Sequence, residues 1–221
     1  MDEIEFADDR LAKLKHKLVL AEKAAWDNAL LLRQNRMDAA QILSARILTE
    51  LSQLDMPKVQ FVCNFSEVGL SPNGTDAVAF YMSANTGEAL KPMSKVASGG
   101  ELARIMLAMK NVLAERDQVN TLIFDEVDTG VSGRAAQRVA EKLRSVAVHK
   151  QVLCVTHLPQ LAALADTHLL ISKREQGGRT YTSVTPLDID GRKMELARII
   201  GGTNITETTL KSAEEMLWQN A

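Results

Sequence analysis

Three short segments carry residue types whose order suits chemistry on a phosphate group. Ser98-Gly99-Gly100-Glu101 directly precedes an amphipathic stretch. Its glycines let backbone N–H groups approach an anion, and its serine adds a hydroxyl donor. Leu122-Ile123-Phe124 runs into Asp125-Glu126, two adjacent acids closing an apolar run. Val152-Leu153-Cys154-Val155-Thr156 runs in the same way into His157. If the apolar runs are parallel strands, their carboxyl ends share one edge, where open α/β sheets bind ligands. Asp125 is then placed to hold Mg2+ through its water shell, and Glu126 to orient or deprotonate an attacking water. His157 is placed to hydrogen-bond a phosphate oxygen. Each piece alone has a plainer explanation. Ser-Gly-Gly is also a capped helix start, paired acids occur in solvated loops, and a lone His is more often structural. One part is missing, because the chain nowhere contains the phosphate-cradling pattern Gly-x-x-x-x-Gly-Lys-Ser/Thr. The chain reads as half of a nucleotide-hydrolysing site.

The elements that must position these residues follow from periodicity. Residues 2 to about 54 contain no Gly or Pro and are rich in good helix formers. Leu11, Leu14, Leu18, Ala21 and Ala25 follow a heptad seam, to which Leu32 returns, while Asn28 and Asn35 interrupt it. Apolar positions resume shifted at Leu43, Ile47, Leu51 and Leu54, like a coiled coil with a stutter. Such a helix projects as an arm that needs a partner, and Pro57 is expected to end it. Residues 58–67 and 76–84 alternate like half-buried strands around a turn at Pro72-Asn73-Gly74. Leu102, Ile105, Met106, Met109 and Leu113 predict a helix from Glu101 to about Arg116. Residues 119–124 and 151–156 suit parallel strands covered on both faces. A helical crossover over 132–147 makes them neighbours or near-neighbours. A helix at 158–165, strands near 167–174 and 179–187, and helices near 192–200 and 205–219 complete the chain. The fold class is α/β with a helical arm: an arm over residues 1–56, then a lobe over 57–221.

Composition narrows the classes. The 221 residues are 46% hydrophobic but only 4% aromatic, so aliphatic packing dominates. A formal net charge of -2 gives no global field toward nucleic acid or anionic lipid. Cys63 and Cys154 lie in apolar runs, where a small hydrophobe fits. With no signal-peptide pattern, they favour a reducing cytoplasm. No apolar stretch approaches the roughly 20 residues of a membrane span. No membrane partner is therefore expected.

In this order and at these separations, the three segments resemble the ABC-type ATPase heads of the SMC and Rad50 group. The strings from Lys95 to Lys110, Phe124 to Gly133 and Val155 to Ala162 are similar to a bacterial DNA-repair branch of that group. The likeness spans essentially the whole chain as that branch's C-terminal half. It implies a returning strand of an antiparallel coiled coil, then the C-terminal lobe of a P-loop ATPase head. It implies ATP and Mg2+ as ligands, with Ser98, Gly99, Gly100 and Glu101 as the signature loop that closes on ATP held by an opposite head. Asp125 becomes the Walker B magnesium residue, Glu126 the catalytic base and His157 the switch histidine. Asp128 through Gly133 become the D-loop at the dimer interface. Ala97 and Ser132 depart from the general pattern, which has leucine and aspartate at those places. The implied partners are an N-terminal half carrying Walker A, a second head in a homodimer, and DNA at the nucleoid. The implied process is recombinational repair of double-strand breaks. Alone, the chain is expected to bind ATP poorly and hydrolyse almost none.

Two further readings come from the residues. Arg134, Arg138 and Lys142, at i, i+4 and i+8, form a basic stripe that can track DNA phosphates or simply be a solvated helix face. In place of an enzyme half, the chain can be a non-catalytic module whose helix pairs with a partner arm. A transporter ATPase subunit fits poorly, because such a subunit has no long helical arm.

Overall fold

A computed structural model describes residues 2–85, 87–95, 99–114 and 118–218, with side chains from residue 9 onward. The first element, α1 (Asp2–Gln53), is one unbroken helix of 52 residues, about 78 Å of rise at 1.5 Å per residue. Along it Leu11, Leu14 and Leu18 stay 49–57% exposed, so the seam read from the sequence is bare in the single chain. The helix ends before Pro57. Asp55 adopts a left-handed φ of 64°, and Met56 N–H donates back to Leu51 O at 3.0 Å. That pairing is a Schellman-type turn, after which a proline is common.

The chain divides into two compact units, Met1–Leu48 with Lys58–Val96 and Thr49–Pro57 with Ala97–Ala221. In the first, β1 (Gln60–Ser71), β2 (Gly74–Ser83) and β3 (Lys91–Pro92) form an antiparallel sheet in chain order. The β1–β2 hairpin extends up to the expected turn, where Gly74 takes a φ of 90°. Arg36 Nη1 of α1 donates to Asn73 O in that turn at 2.9 Å. Arg33 and Arg36 face the fully buried Asp76 carboxylate at 3.3 and 4.0 Å. A carboxylate withdrawn from water needs such compensation.

The second unit begins with α2 (Gly99–Val112), followed by β4 (Thr121–Phe124), α3 (Gly133–Ala147) and β5 (Gln151–Cys154). β4 and β5 pair in parallel, Thr121 opposite Gln151 through Phe124 opposite Cys154, with α3 as the crossover. α3 buries Ala136, Val139, Ala140, Leu143 and Val146, one face at helical spacing. After β5 come α4 (Pro159–Leu164), the antiparallel hairpin β6 (Leu169–Gln176) and β7 (Arg179–Pro186), then α5 (Ile189–Gly201) and α6 (Glu207–Trp218). Ala162, Ala163, Leu196, Ala197 and Ala213 form the small core joining α4, α5 and α6. Small residues there let the helices approach closely.

One expectation about the parallel strands changes. Leu122 and Phe124 are buried, but Ile123 is 72% exposed, and Leu153 and Val155 are also exposed. The two-stranded sheet is thus covered on one face, and its apolar opposite face is open in this chain. The continuous apolar run, typical of a strand buried twice over, carries one face more than this chain covers.

Candidate functional site

Because β4 and β5 are parallel neighbours, the residues leaving their carboxyl ends meet at one crest. Phe124 is buried, and Asp125 and Glu126 after it are exposed. Glu126 adopts a φ of 59°, a left-handed conformation uncommon for a residue with a side chain. It opens a tight turn in which Thr129 N–H donates to Glu126 O at 3.0 Å and Val131 N–H to Asp128 O at 3.3 Å. Asp125 lines a cavity of about 340 Å³ with Gly99, Leu102, Met106 and Ile123. Both acids lie beyond β4, which ends at Phe124, so the turn conformation and not strand alternation sets the surroundings of each.

The α2 start packs directly on this turn. A Cβ on Gly99 would lie 2.5 Å from Glu126 Oε2, and one on Gly100 would lie 2.7 Å from Thr129 O. Gly100 therefore serves close packing within the chain, a need independent of any bound anion, whereas at Gly99 only the flexible end of Glu126 stands in the way. Ser98, expected to add a hydroxyl donor, lies outside the described residues. Glu101 sits in the first turn of α2, where a negative charge complements the helix dipole.

Asp128 is placed differently from a group offered to solvent. It is buried, and its Oδ2 accepts Thr156 Oγ1 at 2.5 Å and His157 N–H at 3.1 Å. His157 Nδ1 lies 3.3 Å from the same oxygen, while the imidazole itself is 74% exposed. A carboxylate at Nδ1 favours the proton on that nitrogen and leaves Nε2 to face a ligand. Thr156 Oγ1 in turn accepts Leu158 N–H at 3.0 Å, leading the chain into α4. Burial above all, and then the nearby negative charges of Asp128 and Asp125, push the Cys154 thiol up to about 12. Cys154 is a protonated packing residue at neutral pH.

Arg104 went unnoticed in the sequence. It is buried, its Nη1 donates to Thr129 O at 2.7 Å, and burial lowers its pKa against the raising influence of Glu101. Its signal was a charged residue four positions after Gly100 and four before Ala108, on the face that α2 buries. The basic stripe of α3 divides. Arg134 is exposed and Arg138 half-buried. Lys142 Nζ pairs with Glu50 at 2.8 Å, which also accepts from Asn111 Nδ2.

Among the described residues no group of three or more His, Cys, Asp or Glu is arranged to hold a metal. One exposed carboxylate, Asp125, still fits a hydrated Mg2+, which takes one or two carboxylates together with waters and substrate phosphates. No helix among the described residues is long and apolar enough to cross a membrane.

No protein-family model matches the chain. It is 46% identical over 222 residues to the DNA repair protein RecN of Halalkalibacterium halodurans, covering 98% of this chain and 39% of that protein. It is 44% identical over 235 residues to RecN of Bacillus subtilis, covering 99% and 41%. To RecN of Vibrio cholerae it is 39% identical over 217 residues, covering 97% and 39%. The chain spans about two fifths of the length of these curated relatives. Among solved structures, an Smc head domain with a coiled coil and joint from Pyrococcus yayanosii superposes with a TM-score of 0.51 at 18% identity. That match covers 81% of this chain and 30% of the other, and it establishes likeness of fold. By sequence over nearly its whole length, the chain belongs with the RecN DNA repair proteins and corresponds to a C-terminal part of one.

Proposed function

We propose that the chain supplies the signature, Walker B and switch-histidine elements of a RecN-type ATPase acting in recombinational repair of DNA double-strand breaks. The remaining parts, Walker A above all, belong to an N-terminal half. What supports this reading is one juxtaposition: Asp125, Glu126 and His157 leave two parallel strands at a common crest, against the first turn of α2. Asp125 would hold a magnesium ion through its water shell, and the ion would supply charge neutralisation to the nucleotide phosphates. Glu126 orients the attacking water and takes its proton. His157, held by Asp128, presents Nε2 to the γ-phosphate. Ser98, Gly99 and Gly100 close on ATP carried by a second head, so nucleotide joins two heads and hydrolysis parts them. The open apolar face of β4 and β5 receives the N-terminal half. α1 pairs with an antiparallel partner helix as a coiled-coil arm, and 57–221 form the lobe. DNA engagement at the nucleoid includes Arg134 and Arg138 of α3, with Lys142 released from Glu50.

The test is steady-state ATP hydrolysis by the chain alone and mixed with an N-terminal half carrying the phosphate loop. Silence alone and turnover in the mixture, lost in Glu126→Gln, is the expected result. Turnover by the chain alone that survives Glu126→Gln counts against this assignment of the site. The exposed leucines of α1 favour a second reading, a non-catalytic coiled-coil module. Partner binding that ignores nucleotide and survives Glu126→Gln, with both preparations folded and inactive, selects it.

A further inference from the structure

Arg104 sits where an apolar side chain of similar size would avoid the cost of burying a charge. It is only 7% exposed, and its Nε has no hydrogen-bond partner among the described residues. Among the described residues its guanidinium donates to one backbone oxygen. Its Nη1 reaches Thr129 O at 2.7 Å across 25 residues of sequence, and hydrogen bonds from a charged donor are roughly twice as strong as neutral ones. Thr129 belongs to the turn that begins at Glu126 and contains Asp128. Gly100, one helical turn before Arg104, touches the same carbonyl, because a Cβ there would come within 2.7 Å of Thr129 O. From the far side of the turn, Asp128 Oδ2 holds the Thr156 hydroxyl and the His157 N–H. A continuous set of contacts therefore runs from α2, through the turn, to the β5 exit.

We propose that Arg104 is a positioning residue, a strut that holds the Glu126–Val131 turn against α2 and so sets the placement of Glu126 and His157. Glu126 occupies a left-handed conformation that persists only where the surroundings over-determine it. The strut provides that constraint from outside the turn. It also makes the position of α2 and the aim of His157 one mechanical unit. The placement rests on the contacts alone, and its consequence for turnover rests on the ATPase reading above.

Hydrogen exchange on this chain separates a strut from ordinary packing. In Arg104→Lys and Arg104→Gln, the amides of Thr129, Val131 and His157 should exchange about fivefold faster or more, while Leu107–Val112 keep their protection. Loss of protection throughout α2, or an unchanged His157 amide, overturns the proposal. Arg104→Lys keeps the charge and carries the test if the Gln variant does not fold. In protein assembled with the phosphate-loop half, Arg104→Lys should lower kcat about tenfold with KM for ATP changed by less than about twofold. An unchanged kcat in an active assembly overturns the catalytic consequence. An inactive wild-type assembly counts against the ATPase reading and leaves exchange to decide the strut.

Discussion

Asp128 Oδ2 lies 3.3 Å from Nδ1 of His157 and 3.1 Å from its backbone N–H, so one buried oxygen holds the histidine at two points. A group on the β4 turn thereby sets both where the β5 exit runs and which way the exposed imidazole is turned. Asp128→Ala removes the acceptor shared by Thr156 and His157. Leaving such donors unpaired costs about 1–3 kcal/mol, which urea unfolding should register. Asp128→Asn, which retains an acceptor for Thr156, should lose less stability but still impair turnover in the proposed ATPase assembly.

The two glycines at the start of α2 should behave differently. At Gly100 an added methyl meets the Thr129 carbonyl and Cβ, fixed groups that can yield only if the turn moves. Gly100→Ala should cost about 1–3 kcal/mol, the range for overpacking. At Gly99 the obstacle is the flexible end of Glu126, which can swing aside. Gly99→Ala should therefore unfold within about 0.5 kcal/mol of the parent chain, as substitutions away from special features do.

Glu126 holds φ at 59°, a conformation that costs residues with a Cβ about 1 kcal/mol and glycine almost nothing. Glu126→Gly should therefore leave stability unchanged or raise it slightly in urea unfolding, while abolishing turnover in the proposed ATPase assembly. Marked destabilisation instead would mean that the carboxylate itself holds the turn together.

The raised thiol pKa of Cys154 has a definite sign. Its folded value of about 12 lies above the ordinary 9.0, so the folded state resists losing this proton. The associated stability is fully present below pH 9 and is lost as pH rises toward 12. Alkylation by iodoacetamide at pH 8 should consequently be slow at Cys154 until the chain is unfolded. Peptide mapping after timed quenching reads the rate. Rapid modification of Cys154 in the folded chain would show that the thiol is not held protonated.

Much of the architecture was legible in the residues, element by element. The crossover helix expected over 132–147 is found at Gly133–Ala147, with Ala136, Val139, Ala140, Leu143 and Val146 buried on one face. The crossover made β4 and β5 parallel neighbours, and hence brought Asp125, Glu126 and His157 to one edge. The helix expected to about residue 54 ends at Gln53, and the turn that stops it, left-handed at Asp55, is not announced by the sequence because that conformation is uncommon for a residue with a side chain.

Hydrophobic period, Gly and Pro punctuation and strand–helix alternation are local properties, carried by residues within a turn or two of one another. They sufficed for the order of elements and for the shared crest of the acidic pair and the histidine. The tertiary structure alone decided how that crest is braced. Arg104 meets Thr129 across 25 residues, Asp128 meets Thr156 across 28, and Gly100 is small because a carbonyl from another segment lies against it. No period in the chain encodes those distances. They arise only when separate elements pack, and packing determines which polar groups lose water and must find one another.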